Sequence, residues 1–381
     1  MKVTGDWLTA ASTQAVFAAL QADGHSAFAV GGCVRNALIG VPVTDVDIAT
    51  DARPETVQAL ARAANLKSVP TGIDHGTITV VSEGAGYEVT TFRADTETDG
   101  RHAVVRFSAD MAEDAARRDF TMNALYADAT GQVVDPLGGL QDLEARRVRF
   151  IGDAQARIAE DYLRILRFFR FAAWYGDPDL GFDAEAMAAI AASLDGLAGL
   201  SRERIGAEVI KLLSAPDPAP ALGSMEQTGV LHAILPGSTT RGLAPLIHLE
   251  QSADVAPEAI RRLAALGVFN SEELRLSKKQ QRRFEQYQSL IPTAEPPFEL
   301  GYRYGAEVAK DVLLLRAALL ETPLDSAAFS AVELGSVQNC PVKAGDLMPT
   351  YSGAALGAKL REIEDRWVTS GFSLNKSELL G

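Results

Sequence analysis

Cysteine is nearly missing from this chain: only Cys33 and Cys340 occur in 381 residues. Two thiols so far apart give neither a disulfide framework nor a zinc knuckle, and such scarcity points to a reducing compartment. Histidine is also scarce. His25, His75, His102, His232 and His248 show no metal-ligand spacing with each other or with cysteine, and none begins an adjacent His-Asp pair. No apolar run approaches the roughly 20 residues that a bilayer span needs. The N-terminal MKVTGDWLTAASTQAVFAAL reads as an amphipathic helix, not as a signal segment, so a cytoplasmic protein with no membrane partner is expected, and a monomer. GAGYEV lacks the third glycine of a dinucleotide fingerprint, and neither GxSxG nor a P-loop occurs. Hydride transfer, serine hydrolysis and P-loop kinase chemistry therefore have no support. Basic residues are outnumbered, 36 Lys+Arg against 50 Asp+Glu for a net charge of −14. Taken alone, that balance argues against a polyanionic partner.

What is present is ordinary globular material, 47% hydrophobic and 23% charged, long enough for two or three domains. Up to about residue 138, segments such as SAFAV (26–30), GTITVVS (76–82) and YEVTTFR (87–93) carry the β-branched and aromatic content of strands between Gly, Asp and Pro clusters. From QDLEARRV onward, apolar residues recur at helical spacing and strand signals vanish. The pattern predicts an α/β head (1–138), a mixed sheet with flanking helices, then an all-α remainder: a neck (139–213), a Pro-punctuated stretch SAPDPAPALGS (214–224), and a body and tail (214–381).

Chemistry concentrates in AFAVGGCVRNALIGVPVTDVDIAT. A strand ending at Val30 runs into Gly31-Gly32 and a short helix, a junction at which backbone can approach phosphate oxygens. Arg35 lies one turn in, and can add a guanidinium. Ten positions later, Asp45-Val46-Asp47 sits at the start of a strand, where residues two apart share a face, so both carboxylates project together. Two anions held side by side call for a hard divalent cation, above all Mg²⁺. Glu88, on a later strand, is the best third carboxylate.

These residues resemble the signature GGxVRDxLLG…DxDxxT of the class II tRNA nucleotidyltransferase and bacterial poly(A) polymerase family. RRDFTMNALY (117–126), DPLGGLQDLEARRVR (135–149), EDYLRILRFFRF (160–171) and SRERIGAE (201–208) follow in family order. Asn36 departs from the usual Asp. The resemblance implies addition of CCA to a tRNA 3′ end from ATP and CTP without a template, with two Mg²⁺ ions on Asp45 and Asp47. It implies a nucleotide contact from Arg117 or Arg118, bracing of the head by Asp119 and Asn123, and a nucleotide-side role for Arg167 and Arg170. The polar stretch TETDGRHAVVRFSADMAEDAA (96–116) resembles the flexible element that helps switch specificity from C to A.

Base choice has a simple physical form. Cytosine and adenine each present an amino donor beside a ring-nitrogen acceptor, while uracil and guanine present the inverse. One fixed acceptor beside one fixed donor takes both correct bases. Asp161 and Arg164, read as i and i+3 on one helix face, are such a pair. Phe168, Phe169, Phe171, Trp174 and Tyr175 read as helix-packing core. Lys278, Lys279, Arg282 and Arg283 in LRLSKKQQRRF are the candidate RNA-backbone contacts. Seven arginines between 146 and 170 further suggest that positive charge is concentrated in the neck. The competing readings are poly(A) polymerase, a CC-only or A-only enzyme, a non-catalytic RNA-binding relative, and nucleotidyl transfer to a small molecule or protein.

Overall fold

The computed structural model describes residues 1–99, 102–267 and 270–381. They form two compact units, Met1–Pro236 and Gly237–Gly381. The division falls beyond the Pro-punctuated stretch at 214–224, because the helix that follows those prolines folds back onto the neck.

The first unit opens with helix α1 (Ala11–Gln21), whose Val16, Phe17 and Leu20 are buried. Strand β1 (Ala27–Val30) leads into helix α2 (Gly32–Leu38), and β2 (Asp47–Thr50) returns antiparallel to β1. Helix α3 (Pro54–Ala63), started by a proline in its first turn, precedes β3 (Lys67–Gly72), β4 (Thr77–Ser82) and β5 (Ala85–Thr91). Along β4, buried and half-buried residues alternate in the two-residue period of a sheet with one face on the core. Including β6 (Arg93–Asp99), β7 (His102–Phe107), β8 (Tyr126–Ala127) and β9 (Val133–Val134), the main sheet has the order β3-β4-β5-β2-β1-β8-β9, with β6 and β7 paired separately. Only β2 and β5 run parallel in the main sheet, and their register sets Asp47 opposite Glu88.

The stretch read from sequence as one polar loop is instead the β6–β7 ribbon followed by helix α4 (Met111–Ala116), capped by the Asp110 carboxylate accepting from Ala112 N at 2.8 Å. Gly100 and Arg101, which belong to that stretch, lie outside the described residues. The consecutive valines Val104 and Val105 suit β7 to a strand, although its partner β6 is mostly polar.

The neck continues through α5 (Gly139–Glu144), α6 (Ala154–Glu160), α7 (Leu163–Tyr175), α8 (Arg202–Leu213) and α9 (Ala219–Gln227). Phe120 and Phe150 meet Phe168 and Phe171 of α7, with centroids 5.0 Å apart for Phe120–Phe150 and for Phe120–Phe171. This aromatic seam joins head and neck into one core. It confirms Phe168, Phe169 and Phe171 as core, whereas Trp174 is 39% exposed and donates from Nε1 to Lys211 O at 2.8 Å.

The second unit is all helical. Helices α10 (Leu243–Ser252), α11 (Ala259–Ala265), α12 (Lys278–Leu290) and α13 (Ala306–Leu320) enclose a buried ionic cluster. Glu250 bridges Arg261 and Arg262 at 2.7 and 2.8 Å, and Asp311 takes Arg261 at 2.6 Å. A separate core gathers Val342, Leu347, Ile363, Trp367, Val368 and Leu379. No helix among the described residues is long and apolar enough to cross a membrane.

Candidate active site

Strand β2 begins at Asp47, so Asp45 stands just before it, with Thr44 Oγ1 donating to its carboxylate at 3.0 Å. In-register neighbours on parallel strands lie about 4.8 Å apart, which brings the Glu88 side chain beside Asp47. No ion pair closes on Asp45, Asp47 or Glu88 among the described residues. Water reaches Asp47, yet protein surrounds it on most sides. Desolvation, then the charges of Glu88 and Asp45, raise its carboxyl above the ordinary range against the pull of Arg118. The three do not converge into a ready-made cage, and no group of three His, Cys, Asp or Glu suited to a metal occurs among the described residues. Cys33 lies below this ledge, but burial and the Asp47 charge push its thiol up to about 11, so it stays a protonated core residue.

Gly31 has φ 70°, a conformation open to glycine, and donates its N–H to Leu125 O at 3.0 Å. The Nη1 of Arg118 lies 3.5 Å from where a Cβ on Gly31 would stand, so a side chain there would narrow the space beside that guanidinium. Asp114, 1% exposed, holds Arg117 at 2.8 Å and Arg118 at 2.9 Å and accepts from Tyr126 Oη at 2.7 Å. Burial by itself would raise the Asp114 carboxyl; the two guanidinia and the hydroxyl outweigh it and hold the group low. Sequence reading missed Asp114. Its position one turn before the RRD motif, in an Ala-rich helix, was the available signal.

Arg35 is buried. Its Nε and Nη2 donate to Asn36 Oδ1 at 3.2 and 2.9 Å, its Nη1 to Asn123 Oδ1, and its face lies 3.9 Å from the Tyr175 ring centroid. All three nitrogens thus have partners behind the glycine turn. Asp119 and Asn123 brace the head as expected. Asp119 accepts from Asn123 Nδ2 at 3.0 Å, from Phe120 N at 2.9 Å and from Arg167 Nε at 2.8 Å.

The pair expected on one helix face is arranged otherwise. Asp161 has extended backbone in the link between α6 and α7, and its Oδ1 accepts from Leu163 N at 3.1 Å. Its other oxygen meets Arg204 of α8 at 2.6 Å. Arg164, inside α7, is held by Glu160 and donates to Arg157 O at 2.7 Å. The two groups remain three residues apart, but extended backbone at Asp161 replaces the continuous helix, its carboxylate turned to Leu163 N and to Arg204 while Tyr162 leads into α7. Glu160 and Arg204 escaped notice in the sequence, although both stand inside the quoted motifs. A cavity of about 790 Å³ opens here, lined by His75, Glu160, Asp161, Tyr162, Ser201 and Arg204 among others.

The concentration of positive charge inferred for the neck is not left free. Arg149 meets Asp142 at 2.8 Å, Arg157 meets Glu160 at 2.7 Å and Arg170 meets Glu208 at 2.6 Å; Arg164 and Arg167 are paired as above. On α12, Lys278, Lys279 and Arg282 are exposed, but Arg283 is half-buried and paired with Glu307 at 3.1 Å. The capping box of Ser277 and Gln280 fixes that helix start.

Comparison with known proteins agrees with this geometry. The poly A polymerase head domain matches residues 27–149, and the domain described as a probable RNA and SrmB-binding site of polymerase A matches residues 179–240. Human mitochondrial CCA tRNA nucleotidyltransferase 1 is 32% identical over 387 residues, covering 94% of this chain and 86% of that protein. A CCA-adding enzyme of Geobacillus thermodenitrificans (strain NG80-2) is 43% identical over 225 residues, 58% of this chain and 54% of that protein. Among solved structures, the Bacillus stearothermophilus CCA-adding enzyme in complex with CTP superposes with a TM-score of 0.72 at 28% identity, over 96% of this chain and 94% of that one.

Proposed function

This chain belongs to the family of CCA-adding tRNA nucleotidyltransferases, and from that premise we propose that it builds CCA on tRNA 3′ ends from CTP and ATP without a template. The observation that carries the reading is the unpaired ledge of Asp45, Asp47 and Glu88 beside the Gly31-Gly32 turn and Arg118. Asp45 and Asp47, with Glu88 adjacent, would hold two Mg²⁺ ions, which when bound acidify the RNA 3′-hydroxyl and neutralise triphosphate charge. The 3′-oxygen attacks the α-phosphorus, the bond to the β-phosphate's bridging oxygen breaks, and pyrophosphate leaves. Gly31, Gly32 and Arg118 receive phosphate oxygens, and Asp114 keeps Arg118 aimed. Asp161 accepts from the amino group of C or A, and Arg164 donates to the ring nitrogen or to cytosine O2. Arg204 and Glu160 hold those two groups in place before a base arrives, so a wrong base meets opposed partners at about 1–3 kcal/mol per group.

Arg117 and Arg167 line the path between base and phosphates, while Arg170 supports α7 from behind. Lys278, Lys279 and Arg282 hold the RNA backbone, with Arg283 anchoring their helix. Two unpaired cysteines suit a reducing compartment, and we assign the cytoplasm.

The decisive experiment supplies tRNA ending at the discriminator base with CTP, ATP or both and sequences the 3′ ends. CCA is expected when both nucleotides are present. A long oligo(A) product would establish the poly(A) polymerase reading instead, and no addition would overturn both. In the same assay Asp161→Ala should lose discrimination against UTP and GTP by about 5- to 150-fold, more than it loses turnover; an unchanged nucleotide preference would sink the base-edge assignment.

A further inference from the structure

Phe171 and Tyr175, one turn apart on α7, are surrounded by three guanidinia. Arg170 lies 4.5 Å and Arg167 5.5 Å from the Phe171 centroid, and Arg35 lies 5.2 Å from Phe171 and 3.9 Å from Tyr175. Arg167 and Arg170 each have a carboxylate, Asp119 and Glu208. Among the described residues no carboxylate forms an ion pair with Arg35. Its hydrogen bonds go to the neutral amides of Asn36 and Asn123, although it is 6% exposed. A buried cation with no anion in contact is costly, and the face of the Tyr175 ring offsets part of that cost. Burial, then the repulsion of Arg170, lowers the Arg35 pKa against the pulls of Tyr175 and of the more distant Asp119.

Arg35 sits in α2, directly behind the Gly31-Gly32 turn, and Tyr175 ends the helix that begins beside Asp161. A second line of bonds, Arg35 to Asn123 to Asp119 to Arg167, joins the same two helices. The last turn of α7 is fixed to α8 through the Trp174–Lys211 bond.

We propose that Tyr175 is a positioning residue for nucleotide addition: its ring seats the Arg35 cation, which no carboxylate contacts, and thereby fixes the phosphate-facing glycine turn against the base-reading end of α7. The inference rests on the function proposed above. Tyr175 touches neither substrate nor reacting atoms. It acts through Arg35, and Asn36 is what makes the ring necessary, because a carboxylate at position 36 would supply the missing charge.

The test measures CTP and ATP addition to tRNA, with kcat and KM separated, alongside thermal unfolding of each full-length variant. Tyr175→Phe, which keeps the ring, should match the parent. Tyr175→Leu, apolar but without a π face, should raise KM for both nucleotides and lower kcat/KM by about tenfold. Adding Asn36→Asp to Tyr175→Leu should recover most of that loss, a rescue that simple core packing does not provide. Parent-like kinetics for Tyr175→Leu, or a Tyr175→Leu defect that Asn36→Asp leaves untouched, overturns the proposal. An inactive parent enzyme would instead strike the proposed function, so the two failures are distinguishable.

Discussion

On β2 and β5, Asp47 and Glu88 stand side by side with Asp45 near them and, among the described residues, no arginine in an ion pair with any, whereas at the end of the head and along the neck the candidate arginines are met by carboxylates from another turn or element. Arg164 has Glu160, Arg167 has Asp119, Arg170 has Glu208, and Arg117 and Arg118 share Asp114. The same residue types are thus treated in opposite ways within one compact unit. Under the proposed function, the counter-charge at the acids comes from outside, as metal and substrate, and the paired arginines hold a donor or acceptor at one angle. On that reading, unpaired groups mark where chemistry happens and paired groups what aims at it.

The contrast can be broken from either side. The largest effect is expected on the unpaired side: Asp45→Ala or Asp47→Ala should reduce nucleotide addition by about 10³-fold or more while leaving tRNA binding intact. A gel assay of 3′-end extension beside a filter-binding titration checks both halves, and residual activity within tenfold of the parent would contradict the ledge assignment. On the paired side, Asp114→Asn should chiefly cost stability, about 3–5 kcal/mol, because it strands two guanidinia against a buried amide. Since the native Asp114 carboxyl titrates below its unfolded value of about 3.9, its contribution is full above that value and is lost as pH falls through the folded pKa. Denaturant midpoints of parent and variant should therefore differ at pH 7 and converge in acid. The smallest effect sharpens the contrast most. Asp47→Asn removes a repelling charge, so its melting temperature should rise by roughly 1–3 °C at neutral pH, and added Mg²⁺ should stabilise the parent but not the variant.

Part of the candidate site was legible as residue types before the fold. Asp47 and Glu88 both lie on strands, and the parallel register sets them opposite each other. The same-face reading of Asp45 and Asp47 does not carry over, because β2 begins at Asp47 and Asp45 precedes it. Asp161 and Arg164 were readable as residue types but not as geometry. Continuous helix is the natural reading of EDYLRILRFF, and the break at Asp161 goes with a carboxylate that bonds Leu163 N, two residues on, and meets Arg204, some forty positions away. Asp114 and Glu160 each stand three or four residues from the arginines they hold, so their pairing lies within reach of helix spacing. Tyr175 reads only as core, because its contact with Arg35 depends on how α2 and α7 pack. The β6–β7 ribbon is not announced by composition, since most of β6 is polar.

The sequence by itself determined the family, an α/β head before a helical remainder, and the candidate acids and arginines, within a net charge of −14 that never excluded RNA. Only the tertiary structure decided which charges are free. The seven arginines of the neck look from their order like a basic surface, yet folding gives most of them a buried or half-buried carboxylate. The physical reason is that Coulomb energy depends on separation in space and on the local dielectric, both set by packing, and not on separation along the chain. Composition counts the ions, and packing alone determines which of them meet.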